Sequence, residues 1–264
     1  MPVALEKSVE IRTHLVTTIN GDGAIDEFTA RKIKHEIEKE KSYLSRLMLN
    51  SLLDVALKKY SDAYDSFELY VKHCNSFEAY SDYLTFLTQV NDYVKAHDIS
   101  KYMHGRFGRD FGSAHLKQLY DVFRAVSDLQ MMKSVCDDLE AIHSEISQST
   151  KLDAEGFIEH CEDFCKLAST NDNELSKVLL VAYDVVKDFK VYKEANIALD
   201  VGQVLYYRLT SESECGVAMT IKGVPSDCSV SLVSDMNLML VNKLMAQDAF
   251  PQGCWSLWFE PIKK

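Results

Sequence analysis

YSDAYDSFELYVKHC, residues 60–74, places Tyr60, Ala63, Tyr64, Phe67, Tyr70, Val71 and Cys74 at successive steps of three and one, so that neighbours recur three and four apart. On an α-helix those positions share one face; on a strand they would scatter over both. The segment therefore predicts an amphipathic helix of about four turns. The reading extends upstream. Ile25, Phe28, Ile33 and Ile37 begin a stripe beside the polar run KHEIEKEK (34–41), and Leu44, Leu47, Met48, Leu52, Ala56 and Leu57 continue it. Downstream, Phe77, Tyr80, Tyr83, Leu84, Leu87 and Val90 form another face, with similar runs over 116–126, 129–146, 157–167 and 175–189.

Helix breakers are missing from the same region. No proline lies between Pro2 and Pro225, and no glycine between Gly23 and Gly105. Proline removes a backbone donor and clashes with the preceding turn, and glycine costs backbone entropy, so their absence permits a long helical series. Three of the four prolines and four of the ten glycines follow residue 200, which sets a boundary near Asp200-Val201-Gly202. Asn75-Ser76, Asn91-Asp92, Ser127-Asp128 and 169–173 are read as connections or caps.

The predicted class is mainly α. Antiparallel helix pairs over 1–200, a repeat-like bundle or short solenoid, precede a small α+β element over 201–264 that packs on the helical body. There, 204–209 and 216–221 read as strands, CSVSLV (228–233) as a third, and 255–259 as a terminal strand. Ser234 is expected to cap a helix through Met245 that turns Leu238, Val241, Leu244 and Met245 inward.

KKYSDAYDSF (58–67) and QVNDYVKAHDI (89–99) place Tyr60 and Tyr93, then Ala63 and Ala96, each 33 residues apart, and Leu129 lies 36 beyond Tyr93. This resembles the tetratricopeptide repeat, a helix–turn–helix unit of about 34 residues, over residues 42–195. The resemblance implies that Ala63 and Ala96 are the small residues that let paired helices approach closely. The family's Trp, Leu-Gly pair and terminal proline have no counterpart here, and an irregular helical bundle is the alternative.

The net charge of −11 disfavours phosphate backbones and anionic membranes, so nucleic acid and membrane are not expected partners. The opening MPVALEKSVEIRTHL interrupts any apolar run with acidic residues, and seven scattered cysteines fit a reducing compartment. A cytoplasmic location is expected.

Asn20, Asp22, Gly23 and Asp26 resemble the centre of an EF-hand loop, but alignment on Gly23 puts Thr29 where the closing bidentate carboxylate belongs. A turn with an acidic helix start is preferred. His160, Cys161 and Cys165 resemble zinc ligands without a second pair, and the cysteines fall on the apolar stripe with Phe157, Phe164 and Ala168. His97-Asp98 and His104 lie near a helix end. No metal and no cofactor is expected. The phosphate-binding GxxxxGK[ST], GxSxG and HExxH patterns are absent from the sequence.

Residues 102–112, YMHGRFGRDFG, hold three glycines and exposed aromatics between basic groups, and are read as an inter-helix loop. Lys101, Arg106, Phe107, Arg109 and Phe111 are the expected partner-binding residues, since Arg and aromatics make good anchors. Residues 137–175 instead hold eleven acidic residues against Lys151 and Lys166, a face able to orient a charged partner or another copy of the chain. The expected function is protein–protein interaction, as an adaptor, chaperone-like factor or regulatory subunit. An enzyme with dispersed site residues, or a self-assembling structural protein, is the alternative.

Overall fold

The computed structural model describes residues 3–21, 25–108, 111–142, 145–189, 204–211, 214–224, 230–250 and 255–261. Among them the chain forms helices α1 (Val3–Asn20), α2 (Glu27–Glu38), α3 (Tyr43–Ala56), α4 (Tyr60–Cys74), α5 (Phe77–Gln89), α6 (Tyr93–Phe107), α7 (Ser113–Ala125), α8 (Leu129–Ala141), α9 (Glu145–Ala168) and α10 (Asp172–Asp188). Strands β1 (Val204–Ser211) and β2 (Glu214–Val224), helix α11 (Val230–Ala246) and strand β3 (Trp255–Pro261) follow. The protein is mainly α, and its helices pack on sequence neighbours in a repeat-like arrangement. Helices α2, α4 and α6 begin at 27, 60 and 93, a constant step of 33 residues.

Contacts group the chain into two compact units, Met1–Phe86 and Leu87–Lys264, which divide inside α5. The change in composition near residue 200 thus marks where helices give way to strands, while the units divide much earlier. In the first unit, α1 and α2 lie against α3, and α3 pairs with α4. Phe67 stacks on Tyr83 and Phe86, with ring centroids 5.4 and 5.1 Å away, and Tyr64 meets Phe86 edge-on at 5.0 Å.

Short corners substitute for the missing glycines. Lys58, Asn75, Asn91, Ser127, Ser169 and Asp248 all take positive φ just beyond a helix end. At Asn91 and Ser127 the next residue closes the helix behind it, Asp92 N–H donating to Leu87 O and Asp128 N–H to Phe123 O, both at 2.9 Å. The same aspartates cap the helix ahead, accepting from Lys95 N–H and Met131 N–H. A two-residue corner therefore ends one helix and starts another, as the sequence reading placed it. Ser127 meets a left-handed backbone that costs a non-glycine residue about 1 kcal/mol, and its hydroxyl is buried with no hydrogen-bond partner among the described residues. Ser127→Gly is expected to raise stability by about 1 kcal/mol in urea denaturation, glycine's greater unfolded-state entropy being smaller than the two terms removed.

In the second unit, α7 packs on α6, α8 and α9, and α10 lies against α6, α9 and α11. Tyr183 of α10 meets Tyr93 of α6 at 4.4 Å between centroids, and Lys187 pairs with Asp92 at 2.7 Å. The strands form one mixed sheet, order β1-β2-β3, with β1 antiparallel and β3 parallel to β2. Asn237 of α11 binds the backbone of β3 at both ends of its amide, accepting from Phe259 N–H at 2.8 Å and donating to Phe259 O at 3.2 Å. Lys243 bridges Asp184 and Asp188 on α10.

Three expectations are corrected. Residues 230–233 open α11 instead of forming a strand; Cys228 and Ser229 lie outside the described residues. The Val/Ser alternation is compatible with either structure, and Val233 continues the helical series Met236, Leu240 and Leu244 that is buried. Consequently Leu238, Val241 and Met245 face outward, and of the four residues expected inward only Leu244 is buried. Finally, Tyr102–Phe107 belongs to α6 and not to a loop, because Met103 continues the buried helical series Tyr93, Ala96 and Ser100.

Candidate interaction surfaces

The basic segment is built on α6. Lys101 is half-exposed and pairs with Asp128 at 3.3 Å. Arg106 is exposed, with its guanidinium 5.7 Å from the ring centre of Tyr102 and 5.3 Å from that of Phe107, and it donates to the Tyr102 hydroxyl. Phe107 is partly exposed and touches Phe111 edge-on at 6.4 Å. Phe111 itself is buried, so it cannot serve as the exposed anchor expected of it. Its place just before α7 turns the ring inward. Arg109 lies outside the described residues.

The histidines have found other partners than their sequence neighbours. His97 Nε2 lies 2.8 Å from Asp128 Oδ2, and His104 Nε2 2.8 Å from Asp138 Oδ2. Adjacent side chains on a helix diverge, so His97 cannot face Asp98, whereas the partners on α8 and its cap lie alongside. Asp128 does three things at once: it caps α8 through Met131 N–H, accepts from His97 and holds Lys101. Burial raises its pKa, but the hydrogen bonds from His97 and Met131 and the Lys101 charge outweigh burial and leave it below the ordinary value.

Beside these groups lies a cavity of about 190 Å³ that also meets Asp172, Ser176 and Lys177 of α10. Ligand pockets commonly start near 300 Å³. Its basic groups are already engaged, Lys177 donating to Asp248 O at 2.8 Å. The arrangement joins helices more than it offers a site.

Asp26 accepts from the backbone N–H and the hydroxyl of Thr29, at 2.9 and 2.6 Å, and so caps α2. Asp22 and Gly23 lie outside the described residues. Cys161 and Cys165 are buried free thiols on α9. Burial first, and neighbouring Cys161 second, push the Cys165 thiol up to about 11. Among the described residues no three His, Cys, Asp or Glu converge to hold a metal ion, and no helix is long and apolar enough to cross a membrane.

Helix α11 is the surface that the sequence reading missed. It is apolar on both sides. Its inner face is buried, and its outer face leaves Val230, Leu238, Val241 and Met245 with relative exposures of 87, 63, 42 and 68%. The last three sit at i, i+3 and i+7, and Phe250 beyond the helix end is exposed as well. The signal was present in the sequence as apolar residues around nearly the whole helix circumference, but both candidate inner faces fitted it. No protein-family model, curated protein or solved structure matches this chain.

Proposed function

We propose that the chain is a protein-interaction module of tetratricopeptide-like construction, serving as an adaptor, chaperone-like factor or regulatory subunit. The observation that carries this reading is the apolar outer stripe of α11, since water-exposed Leu, Val and Met aligned along one helix face gain free energy when a partner covers them. The 33-residue step of α2, α4 and α6 supports the repeat construction, as does the complete burial of Ala63 and Ala96 in the first turns of α4 and α6. Arg106, backed by Tyr102 and Phe107, is a second contact candidate.

Affinity capture from the native host, read by quantitative mass spectrometry, tests the reading with two variants. Leu238→Asp/Met245→Asp is expected to abolish a stoichiometric partner. Arg106→Ala/Arg109→Ala is expected to weaken it only where the basic segment joins the interface. Retention of every partner by the α11 variant would overturn the reading. Self-association through the same stripe is the second reading, and it would appear as a dimer in sedimentation that the α11 variant converts to monomer.

A further inference from the structure

Helices α8 and α9 run antiparallel in the second unit, tied at one end by Lys133–Glu162 (3.2 Å) and at the other by Lys151–Glu140 (2.7 Å). Between these ties is a groove of about 340 Å³, inside the size range of ligand-binding pockets. Its floor is apolar, made of Cys136, Ala154 and Ile158. Its rim carries Asp137, Glu155 and Glu159, which make no hydrogen bond or close ion pair among the described residues; Lys151 attracts Asp137 and Glu155 from farther off, but both rim lysines make their direct contacts in the ties.

We propose that this groove docks a basic amphipathic segment of a partner protein, with an apolar side chain on Cys136, Ala154 and Ile158 and flanking Lys or Arg side chains against Asp137, Glu155 and Glu159. Charge complementarity selects this occupant. The acidic excess of Asp137, Glu155 and Glu159 around an apolar floor repels nucleic acid and acidic peptides, and favours a segment that supplies cations beside a hydrophobic anchor. A second copy of the chain brings a net charge of −11 against an already acidic face. The carboxylates do not converge on a point as a metal site requires. Regular spacing makes the face continuous: Lys151, Ala154, Glu155, Ile158, Glu159 and Glu162 recur at three and four along α9, matching Lys133, Cys136 and Asp137 on α8. This surface differs from the stripe on α11, and the inference stands or falls apart from that reading.

The test uses the full chain and a fluorescent helical peptide with Leu on one face and Lys on the other, followed by anisotropy at low and near-physiological salt. Glu155→Lys/Glu159→Lys is expected to weaken binding about tenfold or more, since it reverses two rim charges. Ile158→Ser is expected to weaken it about fivefold through lost apolar contact. Asp62→Lys/Asp65→Lys, an equal change of net charge on exposed positions of the other unit, is expected to change it less than about twofold. A peptide with Ser in place of Leu is expected not to bind. Unchanged affinity in the groove variants would overturn the proposal, as would equal weakening by the control pair or full binding by the Ser peptide. Glu155→Gln/Glu159→Gln, which leaves no new cation, repeats the test if circular dichroism shows that charge reversal unfolds the chain.

Discussion

Asp128→Ala is expected to lower the unfolding free energy by about 3 kcal/mol. Loss of the α8 cap accounts for about 1 kcal/mol. The rest follows from leaving His97 without its partner, since the His97 side chain is only 7% exposed and Asp128 is 14% exposed. Asp128→Asn separates the two contributions: the amide still caps α8 but no longer supplies a charge to His97 and Lys101, and a loss of about 1–1.5 kcal/mol is expected. The pH dependence has a fixed sign. The folded pKa of Asp128 is depressed, so its ionised form stabilises the fold above the unfolded value of about 3.9, and that contribution is lost as pH falls through the folded pKa. Urea titrations near neutral pH and below about pH 4 should therefore show a smaller acid-induced loss in Asp128→Asn than in the parent chain. Equal losses in both would remove Asp128 from the account of acid stability. A cost below about 1 kcal/mol for the alanine variant would show that the three contacts do not act together.

Phe67→Ala is expected to cost about 4 kcal/mol. The ring is buried in a cluster with Tyr83 and Phe86, which also lie 6.3 Å from each other, and truncation removes both its transfer free energy and its stacking while leaving a cavity. Phe67→Leu keeps much of the volume and should cost well under half as much. Denaturation gives the magnitude, and hydrogen exchange gives the place, with amides of α4 and α5 expected to lose protection first because Phe67 joins those two helices through Tyr83 and Phe86. A cost near 1 kcal/mol, or protection lost elsewhere first, would mean that this aromatic stack is not the centre of its unit.

The difference between what was legible and what was not follows particular residues. Tyr60, Ala63, Phe67, Tyr70 and Val71 could be placed on one helix face because local spacing alone decides which side chains point together. Asn91-Asp92 and Ser127-Asp128 could be read as corners because their side chains satisfy nearby backbone groups whatever lies beyond. Phe111 could not be read. A glycine-rich stretch looks like an exposed loop until the start of α7 and the ring of Phe107 turn that side chain inward. The faces of α11 were ambiguous for a related reason, since an almost wholly apolar helix has several possible inner stripes and only its packing on α10 and β3 selects Val233, Met236, Leu240 and Leu244.

The sequence by itself determined the helical class, most helix positions, the 33-residue step and the corner residues, all consequences of interactions within a few positions along the chain. The tertiary structure alone decided that His97 meets Asp128 and His104 meets Asp138, that Phe111 is buried, and that α11 leaves Leu238, Val241 and Met245 in water. Those outcomes depend on side chains many positions apart competing for the same buried space, and periodicity along one helix carries no information about which neighbour arrives to fill it.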